Sequence, residues 1–135
     1  MMYKDEYIFY GYFTKHTNND YQVNFYDFEN IITCGETLEN AFKMAEDSLK
    51  LELFDLYSDN KEIPNASFPD IKLKDNQIPF IIKINLKETI KQYDNKSVKK
   101  TLTIPSWLNK EAERNNINFS QVIQEALKQK LNIFE

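Results

Sequence analysis

From Lys96 onward, this 135-residue chain spells out a fold that one copy cannot complete. Lys96–Pro105 (KSVKKTLTIP) reads as a short strand closed by its proline. Val98, Leu102 and Ile104 fall on one face, and Lys99, Thr101 and Thr103 on the other. A helix is predicted from just after Pro105, through Trp107, Leu108 and Ala112, to about Arg114. Asn115-Asn116 then favours a turn. Asn118 and Gln121 have the spacing at which each side chain caps the other's backbone amide. Behind that cap, Phe119, Val122, Ile123, Ala126, Leu127 and Leu131 recur at helical steps as an apolar stripe.

A unit of this size rarely buries enough surface to fold without a disulfide, a metal or a partner chain. Residues 96–135 contain no Cys and no His, so the first two remedies are absent. The stripe is too broad for one short helix to cover, and the lone strand has no neighbour to pair with. Two copies remove both defects. Their strands pair antiparallel into a ribbon, and four helices close over a shared core of Leu102, Ile104, Val122, Ile123 and Leu127. A homodimer is therefore expected, and pairing of dimers into a tetramer is left open.

The net charge of −4 divides unevenly. Residues 1–95 carry 10 Lys against 17 Asp and Glu, a net of −7, whereas residues 96–135 carry seven basic and four acidic residues, a net of +3. An acidic body with a basic tail suits two partners of opposite sign. No apolar run approaches the roughly 18 residues of a membrane span, and the N-terminal MMYKDEYIFY lacks the apolar centre of a signal peptide. With one cysteine, Cys34, no internal disulfide can form, which fits a reducing cytoplasm.

The first 95 residues read as a small α+β body. Tyr7–Phe13 is apolar and aromatic enough for a strand buried on both faces. Residues 16–20 supply turn chemistry, and Tyr21, Val23 and Phe25 alternate with Gln22 and Asn24 as a half-buried strand. A third strand is expected at Ile31–Cys34, followed by a helix from Leu38 to Tyr57 capped by Thr37. Its apolar side carries Leu38, Ala41, Phe42, Ala45, Leu49, Leu53 and Leu56, and its polar side Glu39, Lys43, Glu46, Asp47 and Lys50. Residues 58–69 form a loop, and Phe80–Leu86 is the last strand, giving the order β-β-β-α-β.

No catalytic constellation emerges. A two-cation nuclease projects carboxylates from its strands, and the predicted strands contain no Asp or Glu. Cys34 reads as a buried or half-buried structural thiol, and the single histidine, His16, as a turn residue. No metal or cofactor is expected. The tail is different. A two-stranded ribbon fits the major groove of B-DNA, where Lys99, Thr101 and Thr103 from each copy can reach base edges. Lys100 and the start of the second helix, at Asn118, Phe119 and Ser120, are placed to meet phosphates.

These residues carry a family resemblance. Lys99–Pro105 (KKTLTIP) followed by Asn118–Leu127 (NFSQVIQEAL) resembles the ribbon-helix-helix repressors. Tyr21–Phe25 (YQVNF) with Asp27, Thr33–Ala41 (TCGETLENA) and Glu62-Ile63-Pro64 resemble the HicB antitoxins, with Tyr26 and Asn30 replacing that family's usual proline and glycine. The resemblance implies a reduced RNase H-like body without nuclease activity over residues 1–92, and a ribbon-helix-helix dimerisation module over residues 93–135. It further implies that the body binds and neutralises a HicA-type mRNA-cleaving toxin while the tail represses the chain's own operon. The competing expectations are a stand-alone ribbon-helix-helix regulator with a ligand-sensing body and, more remotely, an active RNase H-like nuclease.

Overall fold

Strong local signals set the order of elements in the computed structural model, which describes residues 2–133. The strands are β1 (Glu6–Lys15), β2 (Tyr21–Phe25), β3 (Thr33–Gly35) and β4 (Gln77–Asn85). The helices are α1 (Leu38–Ser58), α2 (Leu86–Tyr93), α3 (Ser106–Arg114) and α4 (Phe119–Lys130). The chain divides into two units, one ending at Lys96 and the other beginning at Ser97. Met1, Phe134 and Glu135, the ends of the two expected domains, lie outside the described residues.

The first unit is a mixed α+β layer pair built on a four-stranded antiparallel sheet in the order β3-β2-β1-β4. Asn19, with φ of 69°, turns the β1–β2 hairpin, and the amide of His16 donates to the Asp20 carbonyl at 2.9 Å. Phe9, Phe13, Val23, Phe25, Phe80, Ile82 and Ile84 form the inner face of the sheet. Ala41, Ala45, Leu49 and Leu53 of α1 pack over it, each with no exposed surface. Phe13 and Phe25 set their rings 4.6 Å and 5.1 Å from Phe80. Such pairs contribute roughly 0.5–1.5 kcal/mol each beyond simple area burial. Both glycines of the chain serve close packing. A Cβ on Gly11 would lie 2.5 Å from the Phe80 ring, and one on Gly35 would lie 2.3 Å from the Ala41 nitrogen, at the start of α1.

Four expectations need correction. Strand β1 starts at Glu6, so one carboxylate does sit on a strand; it pairs with Lys83 of β4 at 2.8 Å. Nor is β1 buried on both faces. Its inner face carries Phe9, Gly11 and Phe13, while Tyr10 and Tyr12 are only half-buried because neither helix of this unit covers the opposite side of the sheet. Leu86 belongs to a helix rather than to the last strand: the Asn85 side chain accepts from the Glu88 amide at 2.9 Å and starts α2. Cys34 is exposed, because its cross-strand partner is Gln22, and both side chains stand on the uncovered face.

The second unit consists of α3 and α4. Residues 94–105 carry no strand or helix, so the strand read at Lys96–Pro105 is not formed in the single chain. A strand closes its backbone hydrogen bonds only on a neighbour, and α3 and α4 supply none. Asparagines do the work that glycine usually does at helix ends. Asn60, Asn116 and Asn132 hold φ of 55°, 54° and 57° just past α1, α3 and α4. In each case the amide that follows donates to a helical carbonyl: Lys61 to Leu56 at 2.8 Å, Ile117 to Ala112 at 3.0 Å and Ile133 to Lys128 at 2.8 Å. These are Schellman closures, which satisfy the last carbonyls of a helix.

Candidate functional site

The second unit presents side chains that a folded monomer would hide. Among its described residues none is buried, and neither α3 nor α4 contributes a single buried side chain. Leu102, Ile104, Val122, Ile123 and Leu127 are all exposed, Leu127 by 56%. Trp107 (68%), Leu108, Ile117 and Phe119 join them. An exposed apolar surface of this extent on so short a unit marks a place where something else packs.

Polar and basic residues sit beside this surface. Lys99, Lys100, Thr101 and Thr103 are exposed along the segment that precedes α3. Asn118, Phe119 and Ser120 come together at the first turn of α4, where the Asn118 carboxamide oxygen accepts from the Gln121 amide at 3.1 Å. The reciprocal half of the expected cap is not made, since the Gln121 side chain runs forward and donates to Glu125 at 3.3 Å. The forward bond alone occupies one of the free amides of the first turn, and the remaining amides and the positive end of the helix dipole face solvent. The base-reading candidates and Lys100 share the segment before α3, and the other phosphate-reading candidates, Asn118, Phe119 and Ser120, lie beyond that helix.

The first unit adds two surfaces that sequence periodicity did not single out. On the uncovered face of the sheet, Tyr10, Phe68, Pro79 and Ile81 line a shallow apolar depression, with the Phe68 ring 4.8 Å from Tyr10 and 73% exposed. Tyr12 and Tyr26 lie 5.5 Å apart beside it, and burial, with Tyr12 next to it, pushes the Tyr26 phenol above its ordinary range. The other surface is the outer face of α1, where Met44 and Leu51 stand exposed among carboxylates. Their seven-residue separation, which keeps both on one side of the helix, was the available signal.

Chemistry-bearing groups do not gather. The His16 ring is 2.8 Å from the Gln22 side chain, and it lines a depression with Asp20 and Cys34. Among the described residues, no three His, Cys, Asp or Glu side chains are grouped so as to hold a metal ion. No helix among them is long and apolar enough to cross a membrane.

Comparison with known proteins gives these surfaces a context. Residues 11–91 match a family described as the HicB-like antitoxin of bacterial toxin–antitoxin systems. Among solved structures, the chain is similar to one from a toxin–antitoxin complex of Streptococcus pneumoniae, with a TM-score of 0.56 and 24% identity over 93% of this chain and 99% of that one. It is also similar to the antitoxin HicB of Burkholderia pseudomallei, with a TM-score of 0.52 and 16% identity over 95% and 98% of the two chains. At these identities the two likenesses speak for a shared fold. No curated protein matches the sequence.

Proposed function

The chain belongs to the HicB-like antitoxins of bacterial toxin–antitoxin systems, and from that premise we propose that it neutralises a HicA-type mRNA-cleaving toxin and represses its own operon. Residues 1–92 are the toxin-binding body, a reduced RNase H-like domain that acts by binding and not by catalysis. Residues 93–135 are a ribbon-helix-helix module that dimerises and holds operator DNA. The protein works in the cytoplasm.

One observation carries the division of labour: the second unit has helices but no core. A second copy supplies what is missing. Two Lys96–Pro105 segments pair into a ribbon, which satisfies backbone groups that have no partner in one chain. Leu102, Ile104, Val122, Ile123 and Leu127 from both copies then close the core. The ribbon's outer face carries Lys99, Thr101 and Thr103 twice, and a two-stranded ribbon fits the major groove, where these side chains meet base edges. Lys100 and the α4 starts at Asn118, Phe119 and Ser120 hold the flanking phosphates. An acidic body avoids the DNA that the basic tail seeks, and complementary charge speeds encounter with a cationic toxin.

The test is co-expression with the product of the neighbouring gene. The expected result is a co-purifying complex in which mRNA cleavage is suppressed, together with retardation of the upstream DNA fragment by the chain. DNA retardation without any toxin would leave a stand-alone regulator whose body senses a ligand.

A further inference from the structure

We infer that the outer face of α1 is the surface that occupies the toxin, and that it does so by standing in for RNA. This rests on the antitoxin reading above and assigns to it a face and a partner chemistry. The face begins with an apolar excess. Met44, Asp47, Leu51 and Asp55 succeed one another at three- and four-residue steps and are all exposed, on the side of α1 opposite Ala41, Ala45, Leu49 and Leu53. Leu51 leaves half of its surface in water, 51%, on a helix whose inner side is fully packed. Nothing in the body's own folding requires a leucine there.

Charge identifies what covers it. Residues 36–59 carry seven acidic and two basic residues, a net of −5 out of the −7 of residues 1–95. The body's negative charge is thus a property of one helix and its flanks. Lys50 is already engaged with Glu46 at 3.7 Å, whereas Asp47, Asp55 and Asp59 make no ion pair among the described residues. The placement also opposes the helix dipole: Asp55 lies in the last turn and Asp59 at the C-cap, with no basic residue in that turn. Carboxylates at a helix C-terminus are unfavourable for the free helix, so their presence serves something outside it. Solvent alone does not call for Met44 and Leu51, and RNA is repelled by the acids. A protein that cleaves mRNA must hold a polyanion with Lys and Arg. A helix with carboxylates spaced around apolar anchors meets such a surface in both charge and contact, and while bound there it excludes the RNA backbone.

The experiment measures association and dissociation of the full-length chain with the co-purified toxin by surface plasmon resonance at several salt concentrations. Each variant is first checked for an unchanged circular dichroism spectrum and melting temperature. The double reversal Asp47→Lys/Asp55→Lys is expected to slow association about tenfold or more at low salt, with the difference shrinking as salt rises. Leu51→Ala is expected to speed dissociation several-fold, and Asp75→Lys, in a loop, to change neither rate. RNA should compete with the wild-type chain for the toxin. If the α1 variants bind like wild type while Ile81→Asp on the uncovered sheet face abolishes binding, the inference is overturned and the antitoxin reading stands. If the wild-type chain binds no toxin at all, both fail together.

Discussion

Replacing Gly35 by alanine tests whether α1 is seated on the sheet as tightly as its geometry requires. The added Cβ would lie 2.3 Å from the Ala41 nitrogen, 2.5 Å from the Ala41 Cα and 2.8 Å from the Asn40 carbonyl carbon. All three are backbone atoms in the first turn of α1, so no rotamer change can relieve the clash. Either β3, three residues long and paired only to β2, must move, or the helix must lift. Lifting the helix would open the contact made by Ala41 and Ala45, both with no exposed surface. Overpacking of this kind costs about 1–3 kcal/mol, and rigid backbone neighbours put Gly35→Ala at about 3. For a domain of this size, about 3 kcal/mol lowers the melting temperature by roughly 12–24 °C. Calorimetry of the full chain measures it, and the two-unit division predicts that only the transition belonging to the body moves. A loss of less than about 4 °C, equivalent to under about 1 kcal/mol, would refute the close seating of α1.

Three further outcomes follow from particular residues. Asn60→Ala should destabilise the body by about 1 kcal/mol in urea unfolding, because alanine resists the left-handed conformation that closes α1, while Asn60→Gly should stay within about 0.5 kcal/mol of wild type. Thr101→Ala or Thr103→Ala should relax operator preference by about 1–3 kcal/mol per lost base contact in competition shift assays, with toxin neutralisation intact; loss of neutralisation with DNA binding spared would reverse the assignment of the two units. Leu127→Asp, harmless at a side chain that is 56% exposed in one copy, should raise the dimer dissociation constant by at least about 100-fold in sedimentation equilibrium, since it places a carboxylate in the shared core.

Local signals were legible in the sequence, and relational ones were not. Thr37 and Asn118 announced α1 and α4 because a capping side chain and its amide lie three residues apart, and both bonds form, at 3.0 Å and 3.1 Å. The inner face of β2 followed from a period of 2, and a period of 3.6 gave Ala41, Ala45, Leu49 and Leu53 of α1, whereas Leu38 and Phe42, which the same period puts on that stripe, stand exposed. Helix α2 is masked in the sequence because Leu86 completes the alternation of the preceding strand, yet it is the first helical residue, set there by the Asn85–Glu88 cap. Cys34 reads as a buried or half-buried thiol from its neighbours alone, but exposure depends on pairing: its partner Gln22 puts it on the sheet face that α1 and α2 leave open. The Lys96–Pro105 strand is not formed in one chain, and a strand needs a neighbour to close its hydrogen bonds. The polar side of α1 reads as ordinary solvated surface in the sequence, and only the structure shows Met44 and Leu51 exposed beside Asp47 and Asp55, which make no ion pair among the described residues.

Hydrogen exchange of the full-length chain across a dilution series tests the account at its centre. Amides of Ser106–Arg114 and Phe119–Lys130 should lose protection as the chain is diluted, while those of β1, β4 and α1 keep theirs, because only the second unit draws its core from another copy. Protection of both tail helices that stays constant down to concentrations where the chain sediments as a monomer would contradict it.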